Sequence, residues 1–441
     1  MNRRDFHRAL LMGAVTHAFG PTLLRGTTPP ALRINGDRLN ANLARLSEFG
    51  KNPQGGVSRV AYTDADRQGR EFVMQLMRAA RLEVSMDDAG NISGRRAGSV
   101  PGLKPIMFGS HIDSVPEGGN YDGTVGSLAA IEVAHALAEA GTTTRHPLEV
   151  IVFQNEEGGK QGSRMISGEF TPANLELVNA SGRNIRDGVR FLGGDPDRIA
   201  QVRRNPGDIA AYLELHIEQG GTLERDDIQI GEVEGIVGIK WWSVDVTGFA
   251  NHAGTTPMDQ RRDALLAASR FVDMVHRQAR ALTGRHVATV GQIQAFPGAR
   301  NVIPGRVTTS LEIRDLETAK MDQLFEIIRK ECEAIGSASG TEFKFEQAYN
   351  SSPSMMDDRV RTLIRDSARE LGLSNRPMPS GAGHDAQSIS MLAPAGMIFI
   401  PSVGGISHAP KEFSHPHDIV NGANVLLHAL LKADAASWVN A

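Results

Sequence analysis

The sequence predicts an α/β fold: a mostly parallel sheet covered by helices, with a smaller ferredoxin-like domain inserted into it. Apolar runs of strand character, such as Leu148 to Phe153, alternate with amphipathic helical segments, as is typical of a parallel sheet with helices on both faces. Polar residues directly follow several of these runs, and in such sheets ligand sites lie beyond the carboxyl ends of the strands. A change of pattern near residue 238 predicts the inserted domain.

The first part of the chain supplies helices and short strands in alternation. Helices are predicted from Ile34 to Phe49 and from Thr63 to Ala80, where Thr63 is the N-cap of the second. Strands are expected at residues 82–86, 91–95, 105–109, 148–153 and 212–219, and a further helix at residues 127–140. The first two strands are short and pair across the turn formed by residues 87–90.

The inserted domain is predicted from element order. Its elements are a strand at 241–247, a helix at 264–282, strands at 286–296 and 302–314, a helix at 318–335 and a strand at 341–347. The order β-α-β-β-α-β is that of the ferredoxin-like motif. The first pattern then returns, with a helix at 359–371, a strand at 396–400 and a helix at 420–437. We therefore predict one larger domain in two parts, residues 31–237 and 351–441, interrupted by residues 238–350.

Composition excludes several classes of protein. The chain has 441 residues, of which 40% are hydrophobic and 22% charged, and its net charge is −4. This balance argues against nucleic acid or an anionic membrane as the main partner. Cys332 is the single cysteine, so an intrachain disulfide is excluded. It lies in a helical apolar stripe and is predicted to belong to a core.

The first 30 residues have the pattern of an export signal. Arg3, Arg4 and Phe6 precede an apolar stretch from Ala9 to Phe19, as in a twin-arginine signal, which predicts a periplasmic protein. The alternative is an untargeted basic N-terminus on a cytoplasmic protein. The apolar stretch is too short to span a bilayer, and no other segment has a transmembrane pattern.

Ligand-type side chains follow the strand at residues 105–109. His111 lies at the strand end, and Asp113 stands two residues on, where an acid can orient an imidazole bound to a metal. Asp122 follows among several glycines, which let the backbone fold closely around an ion. The alternative is an ordinary loop with a surface histidine and aspartate.

Two adjacent glutamates, Glu156 and Glu157, follow the strand at 148–153. Adjacent carboxylates in a cleft repel each other unless a cation lies nearby. One glutamate is therefore predicted to bind a metal and the other to act as a base. A solvated acidic turn is the alternative.

Further histidines stand at other strand ends. His216 lies in the alternating strand 212–219, and His408 lies in a glycine- and proline-rich loop beyond the strand 396–400. His384 and Asp385 form a further candidate pair. An isolated strand histidine is more often a hydrogen-bonded core residue, but here it completes a set.

The predicted ligand set suits a transition metal. Its members are His111, Asp122, Glu157, His216 and His408, with Glu156 as a base. Three imidazoles and two carboxylates suit zinc, manganese, cobalt or nickel rather than calcium or magnesium. If two metal ions share one carboxylate, the site is a two-metal hydrolytic centre. Glu156 would then take a proton from water and pass it to a leaving nitrogen.

Seven motifs occur in a family-like order: GSHIDSVPEGGNYDG, QNEEGG, ELHIEQG, NHAGTTPM with RRDAL, NVIPG, SGAGHDA and GISHAP. From about Arg33 to the C-terminus the chain resembles the zinc-dependent amidohydrolases of the M20 metallopeptidase superfamily. Within it, the chain is similar to the branch of N-carbamoyl-L-amino acid hydrolases, allantoate amidohydrolases and β-ureidopropionases. The resemblance implies a homodimer in which the inserted domain is a lid and dimerisation element.

The resemblance also implies roles for the metal ligands. His111 and Glu157 would hold separate metal ions, and Asp122 would bridge them. His216 and His408 would complete the two coordination spheres, with Glu156 as the general base.

Substrate-binding residues are implied in the same way. They are His252, Asn301, Arg314, Gln219 and Gly383. His252 would stabilise the oxyanion, typically in the site of the partner subunit, and Asn301 and Arg314 would bind the substrate carboxylate. Arginine binds carboxylates bidentately, which agrees with this role. Two alternatives stay open: Arg314 pairs with Asp315, or His252 is an ordinary turn residue.

The leading functional hypothesis is hydrolysis of the carbamoyl C–N bond of an N-carbamoyl-L-amino acid, releasing ammonia, carbon dioxide and the amino acid. The expected partner is a small ureido compound with a carboxylate. Allantoate or ureidoglycolate is the alternative substrate, and a peptidase or N-acyl amino acid deacylase comes third. A metal-containing binding protein without catalysis is a different class of answer. Glu156 argues against it, because binding alone needs no spare base.

Overall fold

The computed structural model describes residues 32–440, so the predicted export signal lies outside the described residues. The helices are α1 Gly36–Leu46, α2 Asp64–Ala79, α3 Thr124–Glu139, α4 Gln161–Ser167, α5 Ile185–Leu192, α6 Thr222–Arg225, α7 Ala264–Ala281, α8 Thr318–Ser339, α9 Asp358–Glu370, α10 Asp385–Ile389 and α11 Pro416–Ala435. The strands are β1 Glu83–Met86, β2 Ile92–Arg96, β3 Ile106–His111, β4 Leu148–Phe153, β5 Ala211–Ile217, β6 Ile230–Ile236, β7 Gly238–Thr247, β8 Asn251–His252, β9 Val287–Thr289, β10 Ile293–Phe296, β11 Val302–Ile303, β12 Arg306–Asp315, β13 Glu342–Ser351, β14 Ser354–Met355, β15 Asn375–Ser380 and β16 Ala395–Ile400.

The larger sheet is mixed. Within the described residues it has nine strands in the order β1-β2-β4-β3-β5-β16-β6-β14, with β15 also paired to β6. The four central strands β4, β3, β5 and β16 are parallel. The flanking strands β2 and β6 pair antiparallel to β4 and β16. The prediction of a mostly parallel sheet therefore holds for the centre and is wrong for the sheet as a whole.

The central strands are buried along their whole length, which explains their continuous apolar runs. Helices α3 and α11 pack on one face of β3, β5 and β16. Met107, Ile151, Tyr212 and Phe399 belong to a single buried cluster. Helices α4 and α10 also pack against β4, β5 and β16, and the polar residues His111 and His216 near the strand ends are buried.

A second sheet lies between residues 238 and 351. Within the described chain its strands have the order β10-β12-β7-β13, and β9 also pairs with β12. Strand β7 alternates between buried and exposed residues, and its buried side packs with α7 and α8 around Val244, Phe271 and Leu324. Cys332 is buried in this core, as the sequence predicts.

The element order in this second region is the predicted one apart from the short strand β8, which follows β7 and pairs with β11, and two of the predicted strands are broken. The strand expected at 286–296 is divided into β9 and β10 around Gly291. The strand expected at 302–314 is divided at Pro304 and Gly305, because proline has no N–H for a sheet ladder. Among residues 32–440, no helix combines the length and apolar character needed to cross a bilayer.

Candidate metal centre

The predicted metal ligands meet at the carboxyl edge of the parallel strands. His111 is the last residue of β3, and His216 lies near the end of β5. Glu157 follows β4, and His408 lies in the loop beyond β16. Because the four strands run in the same direction, their ends present these side chains to a single place. Asp122 reaches it from the loop between β3 and α3.

Asp122 lies at the centre of two groups of ligand-type atoms. In the first group, Asp122 Oδ1 lies 3.1 Å from His216 Nε2 and 3.6 Å from His111 Nε2. In the second, Asp122 Oδ2 lies 3.2 Å from His408 Nε2, which is 3.4 Å from Glu157 Oε2. Each group of three has its ligand atoms within 4.8 Å of one another. One carboxylate thus belongs to two triads.

The histidine tautomers make the first triad suitable for a cation. His111 Nδ1 lies 3.1 Å from the carbonyl oxygen of Asp113, and His216 Nδ1 lies 2.9 Å from that of Ile217. These carbonyl oxygens accept hydrogen bonds from Nδ1–H, so in the neutral rings Nε2 offers a lone pair. The N–H of Gly123 donates to His216 Nε2 at 3.1 Å, which agrees with that tautomer. The lone pair of His111 Nε2 faces the carboxylate of Asp122, and a metal ion between them would satisfy both.

The charges of the second triad favour a cation as well. Burial and the neighbouring carboxylates of Asp122 and Glu156 raise the pKa of Glu157 to about 9. The buried Oε1 of Glu157 has no hydrogen-bond partner among the described residues. Burial also raises the pKa of Glu156 to about 7, against the opposing charge of His111. A divalent cation would supply the positive charge that these adjacent carboxylates need. The donor set therefore fits bound divalent metal ions.

Asp113 has a different role from the predicted one. Its carboxylate accepts the backbone N–H groups of Glu156 at 3.2 Å and Glu157 at 3.1 Å. The contact with His111 Nδ1 is made chiefly by its carbonyl oxygen, since Asp113 Oδ1 lies 3.6 Å from that nitrogen. The side chain therefore positions the glutamate pair, and its backbone orients the imidazole.

Backbone conformation also shapes the site. Gly123 has a φ of +64°, and a Cβ there would lie 2.3 Å from the imidazole of His111. Only glycine leaves room for the ring beside Asp122. Asn155, Gln219 and His408 have φ values of 51°, 58° and 55° without being glycine. Such strained residues cluster at functional sites, and this feature could not be read from the sequence.

Gln219 lies against the bridging carboxylate. Its Nε2 donates to Asp122 Oδ2 at 2.6 Å and lies 3.5 Å from His408 Nε2. The structure therefore brings this predicted substrate-binding residue to the cluster. His384 is also adjacent, with its ring centroid 4.4 Å from that of His216, but it is buried and its Nε2 contacts Ser380 Oγ. Burial holds the pKa of His384 well below its usual range, so this ring is a neutral packing partner.

His252 and Asn301 lie beside each other on the two-stranded β8–β11 sheet, where the N–H of Ala253 donates to the carbonyl oxygen of Asn301 at 3.0 Å. His252 is exposed, and its Nδ1 accepts the N–H groups of Gly254 at 3.0 Å and Thr255 at 3.2 Å. The neutral ring therefore carries its proton on Nε2, the tautomer needed to donate to an oxyanion. Its contacts among residues 32–440 all lie near β8, so the structure does not bring it to the carboxylate cluster.

Arg314 contacts the loop that contains Gly383. Its Nη1 donates to the carbonyl oxygen of Gly381 at 2.7 Å, and its Nε donates to Glu312 Oε1 at 2.7 Å. The structure pairs Arg314 with Glu312 rather than with Asp315, the alternative partner that the sequence left open. A Cβ at Gly383 would lie 3.3 Å from the ammonium group of Lys160, so a second cation borders the same loop.

Comparison with known proteins places this geometry in a family. The sequence profile of the Peptidase family M20/M25/M40 matches residues 107–432, which include all five predicted ligands. The chain belongs to this family. An M20 protein is expected to depend on metal ions, and the buried groups of histidine and carboxylate ligands agree with that dependence.

Relatives within the M20 family are similar over nearly their whole length. An N-carbamoyl-L-amino acid amidohydrolase of Geobacillus stearothermophilus is 40% identical over 402 residues, 90% of this chain and 98% of the relative. An allantoate amidohydrolase of Bacillus subtilis is 35% identical, over 88% of this chain and 95% of its own. The crystal structure of a hydantoinase/carbamoylase family amidase from Burkholderia multivorans is 38% identical, with a TM-score of 0.86. That alignment covers 92% of this chain and 100% of the amidase.

Proposed function

We propose that this protein is a metal-dependent amidohydrolase that cleaves the carbamoyl C–N bond of an N-carbamoyl-L-amino acid. The products are ammonia, carbon dioxide and the free amino acid. The observation that supports it most directly is the position of Asp122, whose two oxygens face separate triads beside a further acid, Glu156. A binding site alone would not need Glu156.

The ligands divide between two cations. His111 and His216 would hold one, Glu157 and His408 the other, and Asp122 would bridge them. Two divalent ions in these positions would polarise the substrate carbonyl and lower the pKa of water from ~15.7 to near 7. Zinc, manganese, cobalt and nickel all suit these nitrogen and oxygen donors.

Glu156 performs the proton transfers. Its Oε2 lies 3.8 Å from His111 Nε2, so it borders the first triad without being central to it. The carboxylate of Asp113 accepts the backbone N–H of Glu156 and so fixes the position of Glu156. Glu156 accepts a proton from the attacking water and returns it to the leaving nitrogen.

The carboxylate of the substrate needs a cationic partner. Arg314 is the proposed anchor, assisted by Asn301, Gln219 and Gly383. Similarity to N-carbamoyl-L-amino acid amidohydrolases at up to 40% identity favours a carbamoyl substrate. Allantoate is the alternative, because an allantoate amidohydrolase is 35% identical.

Ammonia release separates the candidate substrates. Metal-loaded protein is assayed for ammonia with N-carbamoyl-L-methionine and allantoate, and for free amino acids with a dipeptide, under added manganese or cobalt. We expect ammonia from the carbamoyl compound and slower or no release from allantoate. Cleavage of the dipeptide alone would favour a peptidase, and turnover of none of the three would favour a binding protein.

We also propose that the protein is a homodimer in which the second sheet forms a lid over the metal ligands. His252 and Asn301 are exposed and adjacent to each other, yet they lie away from the ligands. We propose that residues 238–350 bring them to the site of a second subunit, where the protonated Nε2 of His252 donates to the oxyanion. The tautomer supports this role, and the subunit exchange described in the Discussion tests it.

We also propose twin-arginine export to the periplasm. The support is the pattern Arg3, Arg4 and Phe6 followed by a short apolar stretch. Fractionation of cells that express the full chain should find it in the periplasm. The variant in which Arg3 and Arg4 are both replaced by lysine should stay in the cytoplasm, and equal distribution of the two proteins would contradict the proposal.

A further inference from the structure

Glu412 is a buried carboxylate outside both triads, and it joins the two loops that hold Asp122 and His408. Its Oε1 accepts the backbone N–H groups of Tyr121 at 2.9 Å and Asp122 at 3.0 Å. Its Oε2 accepts the hydroxyl of Ser407 at 2.8 Å and the backbone N–H of His408 at 3.2 Å. Each oxygen of this one side chain therefore holds a different loop of the metal centre.

The side chain of Glu412 fits here because the neighbouring residue, Gly119, has no side chain. A Cβ at Gly119 would lie 2.3 Å from both Cβ and Oε1 of Glu412. Any larger residue at 119 must displace the carboxylate or the loop. Gly119 thus leaves the space that Glu412 occupies, and Glu412 in turn contacts the backbone N–H of Asp122.

We propose that Glu412 is a positioning residue that sets the separation of Asp122 and His408 and thereby the metal affinity of the second triad. The two loops are in contact although they are far apart in the sequence: residues 122 and 412 are separated by 290 positions. The inference rests on the proposed function, because it matters only if Asp122 and His408 bind metal. Outer residues that orient metal ligands typically change metal affinity ~10- to 100-fold when they are replaced.

A carboxylate is required at this position for a geometric reason. Three of the four groups that Glu412 binds are backbone N–H donors, and they are shared between both oxygens. An ionised carboxylate accepts at both oxygens, whereas a glutamine accepts at one and donates at the other. Glu412→Gln therefore keeps the size of the side chain and loses the grip on one of the two loops.

Asp434 offers a matched control at the opposite edge of the sheet. It is also a buried carboxylate whose oxygens accept two backbone N–H groups from a distant loop, those of Arg145 at 2.9 Å and His146 at 2.7 Å. That loop directly precedes β4 and lies at the amino end of the strands. Asp434→Asn should therefore lower stability in the same way without reaching the ligands.

The test is a cobalt titration of the full-length protein. Metal-stripped wild type, Glu412→Gln, Gly119→Ala and Asp434→Asn are titrated with Co²⁺, and the visible absorption of the bound ion gives affinity and ligand geometry. Thermal unfolding of the stripped proteins reports stability separately. We expect Glu412→Gln and Gly119→Ala to raise the Co²⁺ dissociation constant ~10- to 100-fold and to alter the spectrum. Asp434→Asn should leave both unchanged.

Two results would overturn the inference. One is a Glu412→Gln protein that binds Co²⁺ as tightly as wild type, with the same spectrum. The other is an equal loss of affinity in Asp434→Asn, which would make the effect one of general stability. Gly119→Ala decides the matter if Glu412→Gln does not fold. Failure of wild type itself to bind Co²⁺ would instead reject the proposed function, so the two failures are distinguishable.

Discussion

The two regions of this molecule hold their functional side chains in opposite ways. At the carboxyl edge of the larger sheet, His111, His216 and Asp122 are buried, and contacts from distant segments hold two of them: the N–H of Gly123 donates to His216 Nε2, and the N–H of Asp122 donates to Glu412 Oε1. In the second region, His252 and Asn301 are exposed, and the hydrogen bonds seen for them among residues 32–440 are made near β8. A buried constellation of this kind is already assembled in one chain. The exposed pair requires motion or a second subunit to take part.

The side chains of the two regions are fixed for different reasons. The ligands must keep fixed separations, because metal coordination tolerates little variation in distance. The exposed histidine needs only a defined tautomer, which two backbone N–H groups of its own turn supply. The same residue type is therefore held by the fold in one region and by a local turn in the other.

The largest effect is expected at Glu156. Glu156→Gln keeps the size of the side chain and removes the proton acceptor, so turnover should fall ~10²- to 10⁴-fold. Binding of the substrate and the metal content should change little, since Glu156 is not a member of either triad. Single-turnover kinetics with elemental analysis of the same sample checks both points. Undiminished turnover would remove Glu156 as the base.

The next effect is expected at His252. His252→Ala should lower turnover ~10²- to 10³-fold, as removal of an oxyanion donor does elsewhere, with metal content unchanged. Mixing His252→Ala with Glu156→Gln, after dissociation and reassociation, tests where the histidine acts. If it acts in the partner's site, the mixture should regain about a quarter of wild-type activity, because half the dimers carry one intact site.

The mixing experiment can also contradict the proposal that His252 acts in the partner's site. Two dimeric variants that regain nothing on mixing would place His252 in its own subunit's site, reached by closure of the second region. A wild-type protein that stays monomeric at assay concentration would contradict the homodimer itself.

Much of the first region could be predicted from the sequence, because four of the five ligands lie at or beyond the end of an apolar run and parallel strands end at the same edge. The order of elements in the second region was predictable for a similar reason. Strand β15 was not predicted, because its sequence indicates a loop. It contains Pro377 and Pro379, which argue against a strand except at an edge. The role of Glu412 could not be predicted, since its partners are backbone groups far away in sequence and nothing local marks them.

A third prediction concerns buried charge, which the first region also contains outside the metal centre. Burial raises the pKa of Asp66 from its usual 3.8 to about 6, although Arg70 and Arg59 oppose the shift. Between these values the folded protein holds a proton that the unfolded chain has released. Stability from this group is therefore present below pH 4 and is lost as the pH rises through 6.

Asp66→Asn should remove that loss. The asparagine oxygen can still accept the backbone N–H of Tyr62, which Asp66 Oδ2 accepts at 2.8 Å. Relative to wild type, the free energy of unfolding of the variant should gain about 3 kcal/mol between pH 4 and pH 7. Denaturant unfolding at several pH values measures it. Parallel pH profiles for the two proteins would show that Asp66 titrates normally.

The smallest effect is expected at Arg314, the residue that connects the two regions. If it binds the substrate carboxylate, Arg314→Ala should raise KM and lower kcat/KM about 10- to 100-fold, the value of a charge-assisted contact. Arg314→Lys should recover only part of the loss, because an ammonium group cannot bind a carboxylate bidentately. If Arg314 serves only to pair with Glu312 and to hold Gly381, the substrate's charge is irrelevant. A carbamoyl amino acid amide, which lacks the carboxylate, distinguishes the two roles: the substitution should spare this neutral compound, and an equal loss for both compounds would make Arg314 a structural link between the regions.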